Sequence, residues 1–184
     1  SLYATGFFAN TSEQNWDFGG SSPRQIRREY EASGIELEAY YTKNKFNFGG
    51  SITWTDAKIA KDFFNPNFEG NTPRRQADFI YNANASYNFG KNEQHNFGVS
   101  MIGTSKSFAQ DNNELVMPAY TYFNPYVKIE LIKGLSAALN VNNLFNTIGI
   151  TEAEEGSITE NTDNVLRARS INGRTTSLTV AYRF

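Results

Sequence analysis

The sequence predicts an all-β fold, an antiparallel up-and-down segment of a transmembrane β-barrel with about eight strands. Three observations predict it. Apolar and polar residues alternate along most of the chain, short turns and long polar connections follow one another between these segments, and aromatic residues gather near the segment ends. Because 184 residues suffice for one domain and not for several, we expect residues 1–184 to form a single β-barrel domain.

The clearest predicted strand runs from Phe79 to Phe89. A strand points successive side chains to opposite faces, so one face here carries Phe79, Tyr81, Ala83, Ala85, Tyr87 and Phe89. The other face is mostly amide, with Asn82, Asn84 and Asn88 among its residues. Similar alternation predicts seven more strands, at residues 2–10, 35–42, 46–55, 97–104, 122–131, 135–146 and 176–184.

The predicted connections alternate in length. Short turns are expected at 43–45, 91–94 and 133–134, and long polar connections at 11–28, 60–75, 109–117 and 148–172. Short turns at one end and long loops at the other are typical of outer-membrane barrels, whose periplasmic turns are short and whose extracellular loops are long.

The same alternation also fits a soluble sandwich or a ligand-binding barrel of the lipocalin type. In a soluble fold the apolar face packs into a core, whereas in a membrane barrel it meets lipid and the polar face lines a wet lumen. The mean hydropathy of -0.53 does not separate the two, since lipid-facing and lumen-facing residues average out. Polar faces that continue along whole strands, and aromatic residues near strand ends, favour lipid.

The composition excludes several classes of function. One His and no Cys exclude a disulfide scaffold, a thiol nucleophile and Cys-ligated metal sites, and they disfavour a His-dependent triad. A net charge of -2 argues against nucleic acid as a partner. We therefore expect no enzyme activity, no catalytic residues, no metal and no cofactor. The chain begins at Ser1 without a basic or apolar leader, so we expect a mature product or a piece of something longer.

Four segments resemble a known family, the TonB-dependent outer-membrane receptors. Residues 30–39, with Gly-Ile-Glu-Leu-Glu, and residues 50–59, with Thr-Trp-Thr-Asp-Ala, are similar to two strands of the family barrel. Asn140-Val141-Asn142-Asn143-Leu144-Phe145-Asn146 is similar to the segment in its penultimate strand, and Ala181-Tyr182-Arg183-Phe184 to its closing strand. Their order and spacing agree with the C-terminal part of that barrel across essentially the whole chain.

The resemblance implies a receptor that takes up a scarce nutrient, such as siderophore-bound iron, haem, cobalamin or a glycan. It implies, as partners, the remaining barrel strands and the plug domain, the TonB complex indirectly, outer-membrane lipid and lipopolysaccharide, and the barrel assembly machinery, in the outer membrane of a Gram-negative bacterium. The family barrel has 22 strands, so this chain is expected to be its last third, without a plug. The alternative is a self-standing eight-stranded outer-membrane protein, structural or adhesive.

The candidate ligand-binding residues are three phenylalanines in a polar connection. Phe63, Phe64 and Phe68 lie within six residues of one another and could stack on a sugar or an aromatic siderophore. The favoured interpretation is nevertheless a loop-packing cluster or an extension of the aromatic girdle. The terminal face of Leu178, Val180, Tyr182 and Phe184 is, by resemblance, the recognition signal for the assembly machinery; it is also the lipid face of a closing strand.

The remaining charged candidates have simple interpretations. The acidic stretches 111–114 and 151–156 offer oxygen ligands for a cation such as calcium but lack the spacing of an EF-hand, so solvated loops are expected. The pairs Glu36 and Glu38, and Lys128 and Glu130, suit a hydrated ladder facing the lumen better than acid-base catalysis. His95 is expected at the surface without a partner, and Arg24, Arg27 and Arg28 in a solvated loop or on lipid phosphates.

Overall fold

The computed structural model of the chain describes residues 1–17, 22–153 and 167–184. Within those ranges it contains twelve β-strands and one short 3-10 helix at Pro66–Phe68. The strands are β1 (Leu2–Asp17), β2 (Arg24–Lys43), β3 (Phe46–Asp62), β4 (Phe79–Phe89), β5 (His95–Thr104), β6 (Ser107–Phe108), β7 (Val116–Met117), β8 (Tyr120–Ile132), β9 (Leu135–Asn142), β10 (Ile150–Ala153), β11 (Ala168–Ser170) and β12 (Thr175–Tyr182).

Eight of these strands form one antiparallel sheet in the order β1-β2-β3-β4-β5-β8-β9-β12. Each neighbour in the sheet is also the next long strand in the chain, which is the up-and-down order expected from the sequence. The turns β2–β3, β4–β5 and β8–β9 lie at one end of the sheet, which we call the short-turn end. The other connections lie at the opposite, long-loop end, where β6 pairs with β7 and β10 with β11.

The cross-strand register places the apolar residues on a single face, which we call the outer face. Across six strands, Leu2 lies opposite Ala39, Ala39 opposite Gly50, Gly50 opposite Ala83, Ala83 opposite Met101, and Met101 opposite Phe123. On the last two strands, Leu139 lies opposite Leu178. Every strand therefore contributes its apolar side to one continuous surface.

The inner face carries the polar ladder that the alternation predicts. Asn82 Nδ2 donates to Ser51 Oγ at 2.6 Å, and Asn96 Nδ2 donates to Asn88 Oδ1 at 2.6 Å. Glu36 and Glu38 share this face, as expected, since they lie opposite Thr53 and Ser51. Bonds between neighbouring side chains replace part of the hydration that these groups would otherwise need.

No second sheet or helix covers the outer face in the described part of the chain. Leu37 is 42% exposed and Leu178 is 69% exposed. The soluble alternative, in which apolar faces pack against one another, is therefore wrong. The sheet also does not close on itself within the described ranges, since β1 pairs only with β2 and β12 only with β9.

Several expected boundaries were wrong at the long-loop end. β1 continues to Asp17 and β2 begins at Arg24, so much of the expected 11–28 connection is paired strand, and β3 continues to Asp62. In these extensions both faces carry polar or charged residues, so the apolar alternation disappears although the backbone ladder continues. β9 ends at Asn142 because Asn143 and Asn146 adopt positive φ angles of 51° and 54°.

Among the described residues, no helix is long and apolar enough to cross a membrane.

Candidate functional site: the loop assembly

The buried side chains of the described residues lie at the long-loop end. Apart from glycines, the buried residues are Ile59, Ala77, Ala109, Met117 and Ala153 together with Arg28, Asp62, Asp111 and Asn143. These residues belong to the long-loop ends of β2 and β3 and to the connections beyond β3, β5 and β9. We call this set of packed connections the loop assembly.

Arg28 is the centre of a buried ion network in the loop assembly. Its Nε lies 2.7 Å from Asp62 Oδ2, and its Nη1 lies 2.7 Å from Asp111 Oδ2. Arg28 lies opposite Asp62 across the β2–β3 ladder, whereas Asp111 comes from the turn between β6 and β7. One guanidinium thus joins two strands of the sheet to a distant loop. Both interpretations of Arg28 from the sequence, a solvated loop and a lipid-phosphate contact, were wrong.

The two carboxylates also fix the backbone around them. Asp62 Oδ1 accepts hydrogen bonds from the N–H groups of Phe64 at 2.9 Å and Asn65 at 2.8 Å. Asp111 Oδ1 accepts one from the N–H of Arg74 at 2.9 Å. Asp111 was expected in a solvated acidic loop, and that expectation was wrong because the buried arginine needs a buried counter-charge.

A reciprocal amide pair joins the β3–β4 connection to the β6–β7 turn. Asn113 Oδ1 accepts from the N–H of Thr72 at 2.9 Å, and Asn113 Nδ2 donates to the carbonyl of Thr72 at 2.7 Å. Asn71 Nδ2 donates to the carbonyl of Asp111 at 2.9 Å. These bonds satisfy backbone groups that would otherwise be left unpaired when the two loops pack.

A small apolar cluster completes the loop assembly. Ala109, Met117 and Ala153 are buried against one another, with Leu115 and Ile150 packed beside them. This cluster joins the β6–β7 hairpin to the β10–β11 hairpin.

An ion bridge also ties the β10–β11 hairpin to the β3–β4 connection. Glu152 lies 3.1 Å from Arg75 and 3.0 Å from Arg169. Three long connections therefore form one packed unit. The acidic candidates Glu154 and Glu155 lie outside the described residues.

The network shifts the pKa values of its members, which lie beyond the apolar band of the outer face. Burial by itself opposes the charge of Arg28, but its hydrogen bond to Asp62 and the attraction of both carboxylates outweigh burial and raise its pKa. Burial likewise opposes ionisation of Asp62, but the N–H groups of Asn65 and Phe64 and the nearby Arg28 leave its pKa lowered. Burial and a hydrogen bond to Glu13 raise the pKa of Tyr30 to about 12.

The structure places two of the three candidate phenylalanines, Phe63 and Phe64, against different cations. Phe63 is exposed, and its ring lies 4.7 Å from the guanidinium carbon of Arg27 and 4.8 Å from Lys61 Nζ. Arg27 and Lys61 have outer-face positions in the β2–β3 register, so Phe63 belongs to that side.

The ring of Phe64 contacts a different cation, Arg24. The guanidinium carbon of Arg24 lies 3.7 Å from its ring centre. By strand alternation Arg24 shares a face with Arg28, the inner-face partner of Asp62. Phe68 ends the 3-10 helix and is half-buried. Phe63 and Phe64 therefore contact cations from opposite faces of the sheet.

The asparagines of the 140–146 motif hold the β9–β12 connection. Asn143 Nδ2 donates to the carbonyls of Thr147 at 2.9 Å and Asn172 at 3.0 Å. Asn146 Oδ1 accepts from the N–H of Arg174 at 2.9 Å. Asparagine tolerates the left-handed backbone that both positions adopt, so this motif ends β9 and returns the chain toward β12.

The short-turn end carries a continuous outer-face aromatic belt, formed by Tyr41, Phe46, Phe48, Tyr87, Phe89 and Phe97. Its neighbouring ring centres lie between 4.5 and 6.5 Å apart. His95 adjoins the belt, and its Nδ1 accepts the N–H of Glu130 at 3.1 Å, so the expectation that His95 lacks a partner was wrong. On β12, Leu178, Val180 and Tyr182 lie on the outer face and are exposed, and Phe184 follows them.

Sequence reasoning missed the Arg28 network. One signal was present: extending the β2–β3 pairing upward from Ile35 and Trp54, through one bulge, places Arg28 opposite Asp62. No such signal exists for Asp111, which lies 83 residues from Arg28 in the chain.

A single-layer wall with an apolar outer face, a polar inner face and folded loops at one end is the architecture of an outer-membrane barrel. The profile of one family, described as TonB dependent receptor-like, beta-barrel, matches residues 3–144. The chain belongs to this family, which is one of receptors and transporters rather than enzymes. A search of curated protein sequences finds no match.

Solved structures of the family share the fold. The chain is similar to the siderophore receptor PiuA from Acinetobacter baumannii (TM-score 0.72, 18% identity, 97% of this chain and 28% of that chain). It is similar to the ferric yersiniabactin uptake receptor FyuA from Yersinia pestis (TM-score 0.74, 10% identity, 100% and 35%). It is also similar to the copper transporter OprC (TM-score 0.71, 14% identity, 100% and 29%). The chain spans about a third or less of each of these proteins.

Proposed function

We propose that this chain forms part of the wall and the extracellular loops of an outer-membrane receptor that imports a scarce nutrient, driven by TonB. The observation that carries the proposal is the single continuous apolar face across all eight strands, opposite a polar inner face, in a chain of this family. In this arrangement the long-loop end faces the outside of the cell and the short-turn end faces the periplasm.

The two free sheet edges favour a larger barrel over the self-standing eight-stranded protein. Unpaired backbone groups in hydrocarbon cost several kcal/mol each, and β1 and β12 each pair on one side only in the described ranges. The missing strands would pair with these edges. The plug domain would fill the polar interior. The barrel assembly machinery would recognise the outer face of β12.

Within the candidate ligand site, Phe64 has better support than Phe63. Phe64 stacks with Arg24 on the side of the inner face, where a nutrient passes, and an aromatic ring beside a guanidinium suits a flat or anionic ligand. Phe63, held between Arg27 and Lys61 on the outer side, fits an extended girdle.

Uptake by the full-length receptor tests the function. Cells lacking the receptor gene are supplied with radiolabelled ferric siderophores, haem, cobalamin, copper or a glycan, each as the limiting nutrient. We expect uptake of one of them to depend on the gene and on the proton-motive force. If cells lacking the gene took up every one of these nutrients at the parental rate, the proposal would be contradicted.

A pair of variants tests the ligand site. Phe64→Ala should weaken binding of the imported ligand by about 1–3 kcal/mol if the ring stacks on it, the range found for other aromatic stacking platforms. Phe63→Ala, at the adjacent position, should leave the affinity unchanged. If the parent and both variants bound the ligand with equal affinity, neither phenylalanine would be part of the ligand site.

A further inference from the structure

Four lysines occupy the turns of the short-turn end. Lys43 and Lys45 flank the β2–β3 turn, Lys91 lies in the β4–β5 turn and Lys133 in the β8–β9 turn. Glu93 is the only acidic residue in these three turns. The whole chain has a net charge of -2, so this excess of positive charge is local. We call the four lysines the turn lysines.

Three cations beyond the apolar band at the long-loop end have partners. Lys58 Nζ lies 3.1 Å from Glu31, and Arg27 Nη2 lies 3.0 Å from Glu29. Lys61 Nζ lies over the ring of Phe63. By contrast, in the part of the chain that the structure describes, no carboxylate lies within 4 Å of a turn lysine. The turn lysines therefore keep their charge available to an external partner.

The surface next to the turn lysines is suited to a lipid. Lys43 lies opposite Phe46, a member of the aromatic belt, and Leu131 and Ile132 are exposed immediately before Lys133. Aromatic rings prefer the boundary between hydrocarbon and headgroups. A molecule bound here would meet apolar groups, then rings, then ammonium groups, in the order in which a phospholipid presents its chains, glycerol and phosphate.

We propose that the turn lysines and the aromatic belt form a binding surface for anionic phospholipids, taken from the leaflet at the short-turn end. The unpaired ammonium groups bind the phosphate and the negatively charged headgroup, and the belt holds the glycerol region. Basic residues beside an anionic membrane surface each strengthen binding. The proposal rests on the proposed function, because it places this wall in the outer membrane.

Lipid preference in nanodiscs tests the proposal. The full-length receptor is reconstituted in an equal mixture of phosphatidylglycerol and phosphatidylcholine, and the lipids retained after gentle detergent release are identified by native mass spectrometry. We expect the parent to retain phosphatidylglycerol preferentially. The variant K43Q/K45Q/K91Q/K133Q should lose this preference, by on the order of a few-fold per lysine.

A matched variant controls for total charge. K58Q/K61Q/K106Q/K128Q removes four lysines outside the three turns and should keep the phosphatidylglycerol preference. Heat-dependent migration of the folded barrel on gels checks that both variants fold. Retained preference in the turn variant, or equal loss in both variants, overturns the proposal. A receptor that inserts into the membrane but imports none of the tested nutrients would contradict the proposed function only. The lipid proposal is then decided by the phosphatidylglycerol that the parent and the variants retain.

Discussion

In the wall, side chains such as Leu37 and Leu178 stay exposed, whereas in the loop assembly Ile59, Met117 and Asp62 are excluded from solvent. The wall is one layer thick, so each strand is held by its ladder and by the media on its two sides. The loop assembly has an interior of its own, with an apolar cluster and a paired ion network. A change of side chain should therefore act through packing in the loop assembly and through contact with lipid or water in the wall.

The largest effect is expected for Arg28→Ala, which leaves Asp62 buried without a cation and leaves Asp111 with Arg74 alone, whose Nη1 lies 3.8 Å away. Breaking a buried ion pair from one side costs about 3–5 kcal/mol. Hydrogen exchange of the full-length receptor should rise in the β3–β4 connection and the β6–β7 turn, with little change in β4 and β5.

Arg27→Ala is the control for Arg28. Arg27 is the next residue, but its pair with Glu29 is exposed, so its loss should cost about 0–1 kcal/mol. Equal exchange in the two variants would show that the loop assembly does not depend on its buried network.

The next effect distinguishes the two faces of the wall. Leu37 lies on the outer face near the middle of the apolar band, so Leu37→Arg should destabilise the barrel by about 2–4 kcal/mol. Thr53→Arg, one strand away on the inner face, should cost much less because its charge stays hydrated. Urea unfolding in lipid vesicles measures both. A larger loss for Thr53→Arg would reverse the assignment of the faces.

A smaller effect tests close packing within the wall. The ring of Tyr81 crosses Gly103 so that its hydroxyl reaches Thr121 Oγ1 at 2.6 Å, and a Cβ on Gly103 would clash with this ring. Gly103→Ala should therefore cost about 1–3 kcal/mol. Gly6→Ala, where a Cβ meets nothing within 4 Å, serves as the control in the same urea titration. Identical midpoints would show that Tyr81 moves aside freely.

The smallest effect is the loss of stability of the loop assembly at low pH. The pKa of Asp62 is lowered in the folded protein, so its contribution to stability is present above the ordinary aspartate pKa of about 3.9. It is lost as the pH falls through the lower, folded-state pKa. Protease cleavage of the β3–β4 connection should accelerate over that window while the wall stays resistant. Asp62→Asn should abolish this pH dependence; an unchanged profile in the variant would assign the transition to another group.

Alternation in the sequence predicted the wall because hydrocarbon and water impose a two-residue period on every strand that separates them. It located all eight long strands, and it placed Ala83, Met101 and Phe123 on the apolar faces of their strands, which the register confirms. The period ends where the strands leave the apolar band. The extension of β1 to Asp17 and of β2 from Arg24 was therefore not predicted.

The sequence by itself determined which residues face outward along each strand, since that depends only on neighbours two positions apart. Tertiary structure alone decided how the long connections pack. Arg28 meets Asp62 across 34 residues and Asp111 across 83, and the chemistry of a charged side chain does not specify which distant counter-charge it meets. Burial made those partners necessary, because a charge removed from water is stable only when it is paired.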